Sequence, residues 1–196
     1  VIEVGASGPG EMGPLSQLVR PAAAVLTGCG RAHLSGFGSV EALFEEKVRL
    51  LKAIQPGGLA VIPADCWRRI PRLAEGVQVV TIGVERGADI VATGIDHDSG
   101  MLRFVVSGQR FEVPVAGRHF VRSALSAVAV GRWRGISDRE SAGALSSFCT
   151  DSGRCRVMHT ARGTVIDDSY NASPESVLAA CRLLDEWSCA GRRVLV

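Results

Sequence analysis

No segment of this chain reads GxxxxGK[ST], so the backbone cradle with which a P-loop holds nucleotide phosphates is absent from its 196 residues. No apolar run approaches the roughly 20 residues that a membrane-spanning helix needs, and no basic-then-apolar leader opens the chain. The six cysteines (Cys29, Cys66, Cys149, Cys155, Cys181, Cys189) include no CxxC pair. That spacing argues against a zinc ribbon or a disulfide framework and for reduced thiols in and around a core, with a cytoplasmic setting as the expectation. Charge of either sign is in short surplus. Lysine and arginine number 22 against 20 acids, a net +2, which excludes the basic footprint of a nucleic-acid or acidic-membrane binder. There is no internal repeat and no low-complexity segment.

What is present reads as a folded α/β protein. Hydrophobic residues make up 46% and charged residues 21%, enough for a proper core, and the length suits one domain plus part of a second. VIEVGA at residues 1–6 and RVLV at 193–196 read as buried strands cut at the ends, so the sequence is expected to be a piece of a longer protein. AAAVLT (22–27), LAVIPA (59–64) and VQVVTIGV (77–84) read as further buried strands. Between the first two lies a helix with Ser39 as N-cap, apolar residues at helical spacing and Pro56-Gly57-Gly58 as the stop. Strand, helix, strand is the grammar of a parallel sheet.

From Asp89 to Pro114 the pattern changes. ADIVATGI, MLRFVVS and QRFEVPV, separated by DHDSG and SGQ, predict a small antiparallel meander. An alanine-rich helix is predicted over His119–Arg132. A second, over Ser137–Phe148, opens with a Ser137/Glu140 capping box. Two strand-like runs follow, then the loop DDSYNASP, then a helix with Pro174 in its first turn. The domain boundary is placed near Thr150, giving 1–150 and 151–196.

Four places gather polar groups at strand ends, where open α/β sheets bind ligands. Glu3 precedes the glycine-rich GASGPGEMG: a carboxylate for Mg²⁺ near phosphates, or a plain βα loop. His33 stands in a glycine-flanked loop: a metal ligand or acid/base group, or a solvated histidine. Lys47 shares its helix with Phe44, Leu50 and Leu51: an inward cation that wants a partner, or one that snorkels to the surface. Arg154 with Asp167, Asp168 and Asn171 suits a nucleotide, with guanidinium on phosphate and carboxylate on ribose, or is ordinary turn chemistry.

The order of these segments carries more than any one of them. EVGASGPGE, TGCGRAHLSGFGS, a lysine eight residues past Ser39, GRH, GR and DDSYNASP together closely resemble the Mur ligase family over essentially the whole chain. They are most similar to the branch that adds D-alanyl-D-alanine to a UDP-N-acetylmuramoyl-tripeptide in peptidoglycan precursor synthesis. The DDSYNASP loop is the most specific match and AHLSGFGS the next.

The resemblance implies a P-loop-NTPase-like central domain, truncated before its P-loop part, and the start of a Rossmann-like C-terminal domain. It implies ATP and Mg²⁺ as cofactors and a monomeric ligase working through an acyl phosphate, with no nucleic-acid or membrane partner. Glu3, His33 and Lys47, the last as a carbamate, match the metal-binding residues, and Lys47 and His33 the catalytic ones. Arg154, Asp168, Asn171 and His119 match nucleotide-facing residues. The chain departs from the family pattern at Gly28, Cys29 and Arg31, where Asn, Ile and Pro are usual. It departs again at Phe120 and Ser123, where two asparagines are usual. Two other readings stand beside it. One is another amide ligase of the Mur and folylpolyglutamate synthetase superfamily, against which DDSYNASP argues. The other is a degenerate, non-catalytic binding protein, which the two lost amides favour.

Overall fold

The computed structural model describes residues 1–28, 30 and 34–196. Among these residues three sheets form. Strands β1 (Ala23–Val25), β2 (Leu59–Pro63), β3 (Gln78–Gly83) and β4 (Ile90–Val91) make a parallel sheet in that order. Helix α1 (Met12–Val19) precedes β1. Helices α2 (Leu34–Phe37) and α3 (Val40–Lys52) connect β1 to β2, and α4 (Ala64–Trp67) follows β2.

Strand β2 is buried at every residue because both faces of the sheet are covered. Side chains alternate across a strand, so Leu59 and Val61 join one core and Ala60 and Ile62 the other. The first core includes Leu125, Val128 and Ala129 of α5 (Val121–Trp133) and Phe104 and Phe111 of the meander. The second includes Phe44, Val48 and Leu51 of α3. Helix α3 begins as the sequence predicts: the Ser39 side chain accepts the Ala42 N–H at 3.1 Å.

The meander is present as β5 (Thr93–Asp98), β6 (Met101–Val106) and β7 (Gln109–Val113). Ser99-Gly100 and Ser107-Gly108 turn it with positive φ at both positions, the mirror-image turns whose twist matches a hairpin. Phe104 and Phe111 face each other across the strands, their rings stacked 5.0 Å apart. After a 3₁₀ turn at Arg118–Phe120 and α5 comes α6 (Asp138–Ser146), with the predicted Ser137/Glu140 capping box. Then β8 (Arg156–Thr160) and β9 (Gly163–Asp167) form a hairpin, and α7 (Pro174–Glu186) closes the set.

Four expectations change. Residues 1–6 form no strand: Ile2 is 69% exposed and no neighbouring ladder among the described residues receives them. Residues 193–196 likewise form none, and Val194 and Leu195 are exposed. A β propensity without a partner strand leaves unpaired backbone that water satisfies equally well. ADIVATGI is not one strand but two, since Ile90–Val91 pairs parallel with β3 and Thr93–Asp98 joins the meander. Finally, the glycine-rich loop is followed by a helix the sequence does not announce, α1, whose Met12 N–H donates to the buried Glu46 carboxylate at 2.7 Å.

Candidate functional site

The carboxyl ends of the parallel strands define one edge of the sheet, and the loop after β1 lies there. Lys47 is half-buried, at helical spacing from buried Leu43, Phe44 and Leu51, and its Nζ donates to the Gly28 carbonyl oxygen at 3.4 Å. The inward orientation read from the sequence therefore holds, and the ammonium is aimed into that loop. Glu46 beside it is buried at 3% exposure. Its carboxylate accepts the Met12 N–H and meets Arg49 Nε at 3.2 Å. A carboxylate at the first turn of α1 also meets the positive end of the helix dipole. This anchors α1, and with it the residue 5–11 loop, on α3. The loop is held at a second point, because Gly36 packs on Ser7: a Cβ there would stand 2.3 Å from the Ser7 carbonyl oxygen. His33 lies outside the described residues. Glu3 is exposed, off any strand, and has no hydrogen-bond or ion-pair partner among the described residues. Among those residues no three His, Cys, Asp or Glu side chains gather into a metal site.

A second cluster is built by the DDSYNASP loop. Asp167 Oδ2 accepts the Gly153 N–H and Asp168 Oδ1 the Cys155 N–H, each at 3.1 Å, and Tyr170 N–H donates to the Gly153 carbonyl at 3.1 Å. These bonds staple residues 153–155 to residues 167–170. Asp167 Oδ1 also takes the Ser169 hydroxyl at 2.6 Å, and that bond is the main reason its carboxyl sits below the usual range. For Asp167 the turn-chemistry reading is thus the one realised. Arg154 is exposed and lays its guanidinium over the Tyr170 ring, 3.8 Å from the centroid. Asn171 is exposed, its Oδ1 accepting the Ala172 N–H at 2.8 Å.

His119 comes to this cluster from the 3₁₀ turn before α5. Its Nε2 lies 3.6 Å from the Cys155 thiol, and its ring tilts against Phe120 at 4.5 Å. Ring burial pulls its pKa down, Asp168 opposes that, and His97 adds to it. The buried Cys155 thiol is pushed up to about 12, first by burial and then by Asp168. At neutral pH the pair is a thiol beside a neutral imidazole, which suits packing and hydrogen bonding rather than nucleophilic attack. The two clusters meet through α7: Glu175 Cδ is 3.5 Å from where a Cβ on Gly30 would stand. Arg154, Asp168 and His119 are therefore gathered on one side, Lys47 points into the same loop as Gly30, and Asn171 stays with its own backbone.

Residues 1–131 match the Mur ligase middle domain. The chain belongs to the Mur ligase family. It is 31% identical over its full length to the UDP-N-acetylmuramoyl-tripeptide–D-alanyl-D-alanine ligase of Bacillus subtilis, of which it covers 43%. It is 30% identical to that of Escherichia coli, covering 45% of it. This Mur ligase chain thus spans less than half the length of these relatives. Its fold matches MurF from Acinetobacter baumannii with a TM-score of 0.88 at 30% identity, over 95% of this chain and 42% of that one. It matches MurF ligase from Thermotoga maritima, solved in complex with ADP, with a TM-score of 0.78 at 27% identity, over 91% and 42%.

Four participants in this Mur ligase chain escape sequence reasoning. Glu46 sits in a run of charged residues, Glu45-Glu46-Lys47, that reads as a solvated face, and only the unforeseen α1 explains its burial. Tyr170 reads as part of a turn until Arg154 is seen on it. Glu175 reads as a helix N-terminal acid. Cys155 carries no signal at all.

Proposed function

We propose that the protein to which this chain belongs is a cytoplasmic, monomeric, ATP-dependent amide ligase that adds D-alanyl-D-alanine to a UDP-N-acetylmuramoyl-tripeptide. Residues 1–150 serve as part of its central ATPase domain and 151–196 as the start of its C-terminal domain. The observation that carries this is the convergence of Lys47 and the first turn of α7 on one loop at the carboxyl edge of the sheet. It supports reading Lys47 and the Arg154–Asp168 cluster as nucleotide-site groups, because open α/β sheets take ligands at that edge.

In the reaction the peptide carboxylate attacks the γ-phosphorus of ATP, giving an acyl phosphate and ADP. The amine of D-alanyl-D-alanine then attacks the acyl carbon and phosphate leaves. Arg154 neutralises and orients phosphate, Asp168 and Asn171 hold ribose or base, and His119 presents a neutral imidazole at the nucleotide side. Lys47 positions charge at the phosphoryl end. Glu3, His33 and Lys47 as a carbamate would hold Mg²⁺, which supplies charge neutralisation on the transferring phosphoryl group. Glu3 and a Lys47 carbamate would offer the oxygens a hard cation prefers, with His33 as a nitrogen donor, and the aim of Lys47 at the Gly28 loop fits this.

The test is phosphate release by the full-length protein. The reading expects release only when ATP, UDP-N-acetylmuramoyl-tripeptide and D-alanyl-D-alanine are all present, with the amide product formed one for one. Release with glutamate in place of D-alanyl-D-alanine, and none with the dipeptide, would overturn it.

A further inference from the structure

Three contacts along helix α7 tie it to other described residues. Its first turn lies on Gly30 through Glu175. Leu183, near its last turn, is 3% exposed in a small cluster with Ala116 and Cys155, to which Phe120, Val157, Ile166 and Trp187 add partial cover. Its last residue, Glu186, reaches the meander and the 3₁₀ turn. Oε2 of Glu186 pairs with His97 Nε2 of β5 and with Arg118 Nε at 3.4 Å. The His97 side chain is only 5% exposed, and Arg118 is itself held by donation from Nη1 to the Ile95 carbonyl at 3.1 Å. Thirteen residues of helix span roughly 20 Å, so these contacts pin α7 at both ends.

The apolar part of this junction is small. Three fully buried side chains give little area with which to fix an orientation, and a small apolar contact is non-directional. The directional element is Glu186: one carboxylate oxygen shared by two cationic or hydrogen-bonding side chains from β5 and the 3₁₀ turn. The same turn carries His119, and His97 lies close enough to lower the pKa of His119. Whatever sets Glu186 against His97 and Arg118 therefore also sets the seating of Cys155 and Asp168 against His119.

We propose that Glu186, gripped by His97 and Arg118, is a positioning residue that latches α7 across the two parts of the chain and so fixes where the Arg154–Asp168 loop stands over the Gly30 loop. The latch acts through orientation, since among the described residues Glu186 pairs with His97 and Arg118, outside the Lys47 loop and the 153–155 clamp. Its bearing on turnover rests on the ligase reading, whereas its bearing on docking does not.

The test is hydrogen exchange on the full-length protein carrying Glu186→Ala, Glu186→Gln, Arg118→Ala or the Arg118→Ala/Glu186→Ala pair. Glu186 is exposed at the end of a helix, so these variants keep the fold. Glu186→Ala is expected to speed exchange across residues 153–187 by roughly threefold or more, the scale of a lost ion pair, with β2, β6 and α5 unchanged. Glu186→Gln, whose amide oxygen still accepts, restores part of the protection. The double variant speeds exchange by less than the two single alanines combined, because the Arg118–Glu186 pair can be lost only once. In turnover, KM for ATP rises more than kcat falls. Unchanged exchange at 153–187, uniform loosening of the whole chain, or additive effects of the two alanines would overturn the latch. Exchange that shifts as expected in a protein that consumes no ATP leaves the latch standing and removes the ligase reading.

Discussion

The Asp168 carboxylate accepts the backbone N–H of Cys155, 3.1 Å away across the turn, and so fixes where Arg154 begins. A residue carried over as a nucleotide contact is first of all a clamp. The two roles are compatible, since Oδ2 is not used by the clamp. Asp168→Asn keeps an oxygen that can accept the Cys155 N–H and is expected to cost less than half of what Asp168→Ala costs. The alanine variant leaves a partly buried N–H unpaired, a loss of about 1–3 kcal/mol. Urea denaturation of both variants checks the ratio, and equal losses would deny the clamp.

The cysteines separate by environment. Cys149 and Cys189 are exposed, whereas Cys155 is buried with its thiol pushed up to about 12. Its reactive thiolate is therefore scarce at any pH below that value. A maleimide at pH 8 is expected to modify Cys149 and Cys189 within minutes and to spare Cys155 in the folded chain. Mass mapping decides it, and rapid modification of Cys155 would contradict the burial of this junction.

His119 should titrate below the ordinary histidine range, because ring burial lowers its pKa and Asp168 only partly restores it. The sign for stability follows. Between the lowered folded pKa and the ordinary value near 6.5, the unfolded chain binds more protons, so stability rises with pH through that window. The shift of the His119 ring protons with pH is the measurement. Asp168→Asn removes the opposing charge and should lower the midpoint further.

Gly36 has no room for a side chain, since an added Cβ would stand 2.3 Å from the Ser7 carbonyl oxygen. Gly36→Ala must push the residue 5–11 loop off α2 and is expected to destabilise by about 1–3 kcal/mol, the scale of overpacking. Thermal denaturation beside a Gly191→Ala control, where open space surrounds the residue, isolates the effect.

Much of this fold is legible in the sequence alone. The 3.6-residue spacing around Lys47, with Ser39 as cap, placed the helix and turned the lysine inward, because an amphipathic period is a local property. The Ser137/Glu140 box and the hairpin turns at Ser99-Gly100 and Ser107-Gly108 were equally local. The failures were non-local. A strand at residues 1–6 needs a neighbour that the segment itself does not encode. The break at Ala92, where the chain leaves β4 for β5, depends on which sheet each half finds. Burial of Glu46 depends on α1 docking from 34 residues away. Within the site, the residue types of the DDSYNASP loop were readable, but not that Asp167 would be spent on Gly153 and Ser169.

The central claim is that Lys47 serves the phosphoryl end of an ATP-dependent ligase site, and its replacement in the full-length protein tests that most directly. Lys47→Ala is expected to lower turnover by ~100-fold or more, the scale for losing a group that meets developing charge, while calorimetric ADP binding and the unfolding temperature stay close to those of the unaltered protein. Turnover near normal in Lys47→Ala would contradict the account, and the metal assignment of Glu3 and His33 would fall with it.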